Sequence, residues 1–142
     1  KVLVINTGSS SLKYSFFDTT QKESLLDGLV EKIGSGAAVH IIKKAGQKTT
    51  LPADGIATVS DAFHAMVRAL ADEEQGVVGD VRRISAVGHR VVHGGQRFSS
   101  SMTINDEVLS AIKECIPIAP LHNPYNLEGI ETLKTLLPGV PQ

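Results

Sequence analysis

The chain is poor in several features that mark particular classes of protein. Its single cysteine, Cys115, excludes an internal disulfide and a cysteine-based metal cluster, and it fits a reducing compartment. The 14 basic and 15 acidic residues leave a formal net charge of -1, which gives no electrostatic footprint for nucleic acid or an anionic membrane. No hydrophobic run reaches membrane-spanning length. We therefore expect a cytoplasmic globular domain with neither nucleic acid nor membrane as its partner.

The length of the chain suits one domain. It has 142 residues, of which 42% are hydrophobic, and a chain of this size buries roughly 68% of its unfolded surface, enough for a core without disulfides. It starts at Lys1 rather than at a methionine, and residues 138–142 follow a predicted helix and lead towards another element. We expect residues 1–142 to be a single domain cut from a longer protein.

A turn of small polar residues separates two strand-like runs near the start of the chain. Residues 2–6 are mostly β-branched and residues 12–17 alternate, which predicts a β-hairpin. Backbone N–H groups, hydroxyls and an ammonium would converge there, as phosphate oxygens require. The other interpretation is an ordinary hairpin turn, since Gly and Ser fill many such turns. The turn with its flanks reads Asn6, Thr7, Gly8, Ser9, Ser10, Ser11, Leu12 and Lys13.

This turn differs from the common phosphate-binding motifs. A Walker A loop needs a glycine before its lysine and a helix after it, whereas Leu12 precedes Lys13 here and a strand follows. A dinucleotide-binding fingerprint also opens a helix. If phosphate binds, it binds in a hairpin turn.

The rest of the pattern predicts a mixed sheet with helices packed on it. Strand-like runs at 24–33, 39–44 and 48–51 continue an antiparallel meander. Residues 59–71 repeat hydrophobic side chains at helical spacing, with Thr58 or Ser60 as the cap and Gly76 or Gly79 as the stop. The later elements are a strand over 84–93, a helix from Asn105 to about Cys115, and a helix opened by Asn123-Pro124, with Pro at its first position, and ended by Pro138.

Arg90 and Val92 form the second candidate site, within the run Gly88–Gly95. Residues two apart in a strand share a face, so a guanidinium and a small hydrophobic side chain would lie together. That pair suits a short anion with a hydrocarbon tail, because Arg binds carboxylate or phosphate bidentately. The alternative is a buried strand whose arginine pairs with a structural carboxylate. Any shared anion also requires Lys13 and Arg90 to lie on one side of the sheet.

The remaining histidines point to less specific roles. His89 and His93 would be about 13 Å apart in a strand, too far to share a metal ion, and His40 and His64 look structural or exposed. The connector 119–124 places Leu121 and His122 just before a helix N-terminus, a position that attracts anions. A rigid connector with Asn123 as a structural cap is the other interpretation.

Three runs, taken together and in order, resemble the N-terminal domain of the acetate kinase (acetokinase) family: Val2–Tyr14, Gly88–Gly95 and Ala119–Pro124. The family belongs to the actin, hexokinase and sugar-kinase superfamily. Its domains have a ribonuclease H-like core, in which three antiparallel strands precede the alternating part. The resemblance therefore implies an actin-like α/β (α+β mixed sheet) domain, with the nucleotide-binding C-terminal domain outside this chain.

The resemblance also implies residue roles. Asn6 would lie near the magnesium ion and the transferred phosphoryl group, as a catalytic residue and metal contact. Arg90 would bind the acyl substrate and assist catalysis. The other roles fall on the ATP phosphate loop (Ser9, Ser10, Ser11 and Lys13), the methyl pocket (Val92 and Leu121) and the connector histidine near the active site (His122).

The implied reaction is ATP + acetate ⇌ ADP + acetyl phosphate, with Mg²⁺ as cofactor. ATP, ADP, acetate and acetyl phosphate are the expected ligands, a homodimer is expected for the full-length protein, and the piece 1–142 alone is expected to be inactive. Propionate kinase is the first alternative; the family's propionate enzymes tend to carry a smaller residue at the position of Val92. Butyrate kinase resembles the loop less closely. A non-catalytic actin-like nucleotide-binding domain is the second class, and it would need no acyl pocket.

Overall fold

A six-stranded mixed sheet organises the chain. This computed structural model describes residues 1–74, 76–98 and 100–142. The strand order is β5-β4-β3-β2-β1-β6; neighbours from β1 to β5 are antiparallel, and β6 runs parallel to β1. The predicted meander and mixed sheet are thus confirmed, and the meander extends two strands beyond the three that the resemblance implied. The strands are β1 (Val2–Thr7), β2 (Ser11–Asp18), β3 (Glu23–Glu31), β4 (Val39–Lys44), β5 (Gln47–Leu51) and β6 (Ala86–His89).

In the described part of the chain, three α-helices accompany the sheet: α1 (Val59–Ala71), α2 (Asp106–Glu114) and α3 (Asn123–Leu136). A short 3₁₀ helix, Val81–Arg83, precedes β6. Asn105 caps α2 by accepting a hydrogen bond from the Val108 N–H, as the sequence predicted. No helix in the described ranges is long and hydrophobic enough to span a membrane.

Local side-chain chemistry decides where α1 begins, and tertiary contacts decide where it ends. Of the two candidate caps, Thr58 is the one used: its hydroxyl accepts from the Asp61 N–H, and the Asp61 carboxylate accepts from the Thr58 N–H. The predicted stop at Gly76 or Gly79 is wrong, because α1 ends at Ala71. The Leu70 carbonyl there accepts from the N–H groups of Val77 and Val78, which turns the chain back.

Alternation along β1 gives the sheet a buried and an open face. Leu3 and Ile5 are buried in one core with Phe63 of α1 and Leu133 of α3. The intervening residues of β1 face away from these helices, and two of them, Val4 and Asn6, are exposed. One face therefore carries the helices α1 and α3, and the other is free to hold polar side chains.

The second strand-like run is shorter than predicted. β6 ends at His89 instead of reaching residue 93. The Arg90 N–H still donates to the Ile5 carbonyl at 2.9 Å, as a continued parallel ladder would require. The Val92 N–H donates instead to the Asn126 side chain, so Val92 lies in a bend outside the strand. The alternation of strand faces therefore extends to Arg90 but not to Val92.

The start of α3 also differs from its prediction. Asn123 is the first helical residue and Pro124 the second, while His122 occupies the cap position without a side-chain cap bond. The Asn123 side chain is fully buried and donates to the carbonyls of His93 and Ile112. Asn123 therefore does not cap α3; it ties the helix start to the loop after β6 and to α2.

Candidate anion-binding site

A row of three polar side chains crosses the open face of the sheet. Asn6 of β1 and Lys13 of β2 oppose each other directly in the hairpin. On the other edge of β1, Ile5 pairs with His89 of β6, and the Arg90 bond to Ile5 brings Arg90 beside Asn6. Directly paired residues point to the same face of a sheet. We call Lys13, Asn6 and Arg90 the polar row.

The polar row is exposed, and its charges lack counter-ions among the described residues. Lys13, Asn6 and Arg90 are all solvent-exposed. Within residues 1–74, 76–98 and 100–142, none of the three side chains forms a hydrogen bond or ion pair. The alternative of a buried Arg90 paired with a structural carboxylate is therefore wrong for the described part of the chain. Two cations without partners on one face leave a local positive potential that attracts anions.

Main-chain hydrogen bonds fix the serine turn (residues 8–11), while its serine hydroxyls are left free as donors within the described chain. The Gly8 N–H donates to the Ser11 carbonyl at 2.8 Å, and the Ile33 N–H donates to the Ser10 carbonyl at 3.1 Å. Ser9 and Ser10 are exposed, and Ser11 is half-buried at the start of β2. The fixed turn presents hydroxyl groups beside the Asn6–Lys13 pair, which is an arrangement able to accept a phosphate group.

Arg90 and Val92 line one cleft together. The cleft has a volume of about 630 Å³ and also contains the ring of Phe98 and the side chain of Met102. Val92 is 38% exposed, so its methyl groups are accessible to a ligand. A cation beside hydrophobic side chains can bind a carboxylate or phosphate that carries a short hydrocarbon tail.

Asn6 and Lys13 line a separate groove of about 340 Å³, together with Ser15, Asp27 and Leu29. The polar row therefore runs from this groove to the Arg90 cleft. The Asp27 carboxylate is already engaged, because it accepts a hydrogen bond from the Ser15 hydroxyl at 2.7 Å. It is therefore not available to Lys13 alone. The groove therefore holds one cation, one carboxamide and a carboxylate that is already hydrogen-bonded to Ser15.

Leu121 and His122 lie apart from the Arg90 cleft. Leu121 is 73% exposed, His122 is also exposed, and neither lines the cleft or the groove. The connector reaches the region of Arg90 only indirectly, through the bond from Asn123 to the His93 carbonyl. Within the described chain, the structure does not bring these two side chains together with Arg90 and Val92.

Two polar contacts near the cleft were missed by the sequence reasoning. Asn126 is buried in α3 and bonds to the main chain of both Thr7 and Val92. Its signal was present, since it falls in the helical spacing of the buried side chains of α3. His89 Nε2 lies 2.6 Å from Gln142 Oε1, and burial lowers the pKa of His89, so its ring is neutral near pH 7. No local sequence signal pairs residues so far apart in the chain.

Asn6 could contribute one ligand to a magnesium ion. The Asn6 carboxamide oxygen is exposed and unpaired within the described chain, and it is of the hard type that Mg²⁺ accepts. In the same described ranges, no group of three His, Cys, Asp or Glu side chains could hold a metal ion. Asn6 therefore fits as one contact among ligands that phosphate oxygens and water would supply.

The five-stranded meander, the parallel β6 and the helices on one face define an actin-like α/β domain, with an open cationic site at the end of β1. A profile of the acetokinase family matches residues 1–142. The chain belongs to the acetokinase family.

Relatives and solved structures agree with this assignment. The chain is 45% identical over 141 residues to an acetate kinase of Clostridium botulinum. It superposes on a crystal structure of Porphyromonas gingivalis acetate kinase with a TM-score of 0.95 at 41% identity, and on a propionate kinase from Francisella tularensis with a TM-score of 0.87 at 38% identity. Each comparison matches 99% or more of this chain, but only 35% or 36% of the other protein. The chain thus spans about a third of the length of these relatives.

Proposed function

We propose that this chain is the carboxylate-binding, N-terminal part of a short-chain carboxylate kinase that catalyses ATP + acetate ⇌ ADP + acetyl phosphate. The observation that carries the proposal is the polar row, which joins the serine turn to a cleft shared by Arg90 and Val92. The similarity to acetate kinases over the whole chain supports it. The remaining parts of the cleft, including an adenine site, would come from the rest of a longer protein.

Arg90 would hold the acetate. Its guanidinium can bind both carboxylate oxygens, while Val92 limits the space for the methyl group. Acetate is already ionised near pH 7, as carboxyl groups with a pKa near 4 are, so no general base is needed. One carboxylate oxygen attacks the γ-phosphorus, and the bond from that phosphorus to the bridging oxygen of ADP breaks. The protein contributes positioning and charge stabilisation.

The serine turn and Lys13 would hold the phosphates of ATP. The Ser9 and Ser10 hydroxyls can donate to phosphate oxygens, and Lys13 supplies a positive charge beside them. When bound, Mg²⁺ would neutralise charge on the phosphates, with Asn6 as one of its contacts. Ser11, the half-buried residue at the start of β2, would contribute to the same phosphate contacts. Because Leu121 and His122 lie away from the cleft here, we propose that they take part only when the rest of the protein closes over it.

Propionate is the second candidate substrate. The cleft of about 630 Å³ exceeds what one methyl group fills, and the chain is also similar to a propionate kinase. The Val92 side chain favours acetate. The test is the ratio of kcat/KM for acetate to that for propionate in a full-length protein that begins with this chain, for which we expect a value above 1.

Activity should require more than residues 1–142. We propose that the full-length protein forms acetyl phosphate, is a cytoplasmic homodimer, and needs Mg²⁺, whereas the piece alone does not turn over. A coupled assay on both proteins tests this. Formation of acetyl phosphate at the full-length rate by the piece would contradict it. A full-length protein whose melting temperature rises with ADP but with neither acetate nor propionate would instead be a non-catalytic nucleotide-binding domain.

A further inference from the structure

A side-chain amide takes the place of one rung of the β-sheet beside the site. In the parallel pair of β1 and β6, the Arg90 N–H donates to the Ile5 carbonyl. The next rung of a parallel ladder would run from the Val92 N–H to the Thr7 carbonyl. Instead, the Asn126 Nδ2 group donates to the Thr7 carbonyl at 3.0 Å, and Asn126 Oδ1 accepts from the Val92 N–H at 3.1 Å.

This insertion separates the two chain segments at a defined place. The Thr7 carbonyl and the Val92 N–H are both still hydrogen-bonded, but their partner is the Asn126 carboxamide that lies between them. The two segments therefore cannot approach each other as neighbouring strands do. Thr7 leads directly into the serine turn, and Val92 borders the Arg90 cleft. One side chain thus bridges the gap between the turn and the cleft.

Asn126 is held rigidly in its position between Thr7 and Val92. Only 2% of its surface is exposed, and both ends of its amide are hydrogen-bonded to backbone atoms. It stands on α3, whose Ile130 and Leu133 are buried against the rest of the protein. A buried amide with both partners satisfied resists rotation, because each lost bond would leave a buried polar group unpaired.

We propose that Asn126 is a positioning residue that sets the distance between the phosphate-binding turn and the acyl-binding cleft. The proposal deepens the proposed function and rests on it. Asn126 touches neither substrate; it acts through the backbone of Thr7 and Val92. In-line transfer is sensitive to misplacement of the reacting groups by about 1 Å, so a change in this spacing should alter catalysis more than folding.

Two variants of the full-length protein separate the two halves of the link. Asn126→Asp, with its carboxyl group ionised, keeps an acceptor for the Val92 N–H but loses the donor to the Thr7 carbonyl, so we expect a raised KM for ATP with the KM for acetate within about 3-fold of wild type. Asn126→Leu loses both bonds and should raise both KM values and lower kcat/KM on the order of 10- to 100-fold. The matched control is Leu133→Ala, which removes buried contacts from the same helix and should lower the melting temperature with both KM values unchanged.

Hydrogen exchange tests the link without any assay of activity. In the wild type, the Val92 N–H should exchange slowly although Val92 lies outside any strand and its side chain is exposed. Protection should persist in Asn126→Asp and disappear in Asn126→Leu. If the Leu variant does not fold, exchange in the wild type and the Asp variant still tests the link.

The outcomes distinguish this inference from the proposed function. A wild type without kinase activity on acetate or propionate contradicts the proposed function, while the exchange measurement still reports on the Asn126 bonds. An active wild type in which Asn126→Leu and Leu133→Ala have the same KM values overturns the inference alone. So does a wild-type Val92 N–H that exchanges at the rate of an unprotected amide.

Discussion

The Tyr14 hydroxyl and the His40 Nε2 atom lie 2.7 Å apart inside the core, beneath the middle of β3. Burial raises the pKa of Tyr14 well above its usual value, so the hydroxyl stays protonated while it is hydrogen-bonded to the histidine ring. The phenol ring lies directly under Gly28, its partner across β2 and β3. A glycine at position 28 is what allows a large ring to reach His40 there.

Replacing Gly28 with alanine should destabilise the protein. The added methyl group would overlap the Tyr14 ring, which is held in place by its bond to His40. Overpacking of this kind costs about 1–3 kcal/mol. Urea denaturation of Gly28→Ala measures the loss, with Gly88→Ala as the control for a strand glycine that has open space around it and no left-handed backbone angle. In a Tyr14→Leu background the cost of Gly28→Ala should shrink, and equal costs in the two backgrounds would contradict the overlap.

His40 should make the stability of the fold depend on pH. Burial, aided by the charge of Arg68, lowers the pKa of His40 from 6.5 to about 4. The unfolded state therefore binds the extra proton first, so the contribution of His40 is complete above pH 6.5 and is lost as the pH falls through 4. We expect the free energy of unfolding to decline on the order of 1 kcal/mol for each pH unit as the pH falls within that window. Denaturation midpoints at several pH values measure it; His40→Gln cannot titrate and should show a weaker slope.

Arg90 is expected to be the most sensitive residue for turnover. It is exposed, lacks a partner in the described chain and lines the cleft. In the full-length protein, Arg90→Ala should lower kcat by about 10²–10³, as loss of one preorganised donor does. Arg90→Lys keeps the charge but not the bidentate geometry, so its kcat should lie between those of the wild type and Arg90→Ala. Arg82→Ala, which removes a surface arginine paired with Asp80, should leave steady-state rates unchanged. A near-wild-type rate for Arg90→Ala would exclude Arg90 from the mechanism.

Val92 is expected to set the preferred length of the acyl chain. Val92→Ala enlarges the cleft next to Arg90, so kcat/KM for propionate should rise relative to that for acetate. One methylene group is worth about 1–3 kcal/mol, which corresponds to a ratio changed about tenfold or more. Competition between the two substrates measures the ratio directly. Val39→Ala, on a distant strand, serves as control, and an unchanged ratio in Val92→Ala would mean that Val92 does not border the acyl group.

Local chemistry explains the parts of the fold that the sequence predicted. Alternation identified β1 and β2, helical spacing identified α1, and Thr58 and Asn105 were recognised as caps. These features depend on residues close together in the chain. The polar row could also be anticipated, because Asn6 and Lys13 lie in one hairpin and Arg90 follows a strand of matching character.

Contacts beyond the reach of local sequence patterns explain the errors. α1 ends early because the Leu70 carbonyl bonds to Val77 and Val78, and no local signal marks that reversal. β6 is short because Asn126, more than 30 residues later, takes the rung that Val92 would have occupied. The separation of Leu121 from the cleft likewise depends on how α3 packs. Sequence patterns name such residues but do not say what they touch.

The position of β1 has a consequence for synthesis on the ribosome. One edge of β1 is completed by its neighbour in the hairpin, but the other waits for β6, whose Ala86 pairs with Val2. At about 5–20 residues per second, translation needs roughly 4–17 seconds to span that interval. During this time the nascent meander presents an unpaired edge with Val2 and Val4 on its outer face, which is the kind of surface that invites misassembly between chains and that chaperones protect.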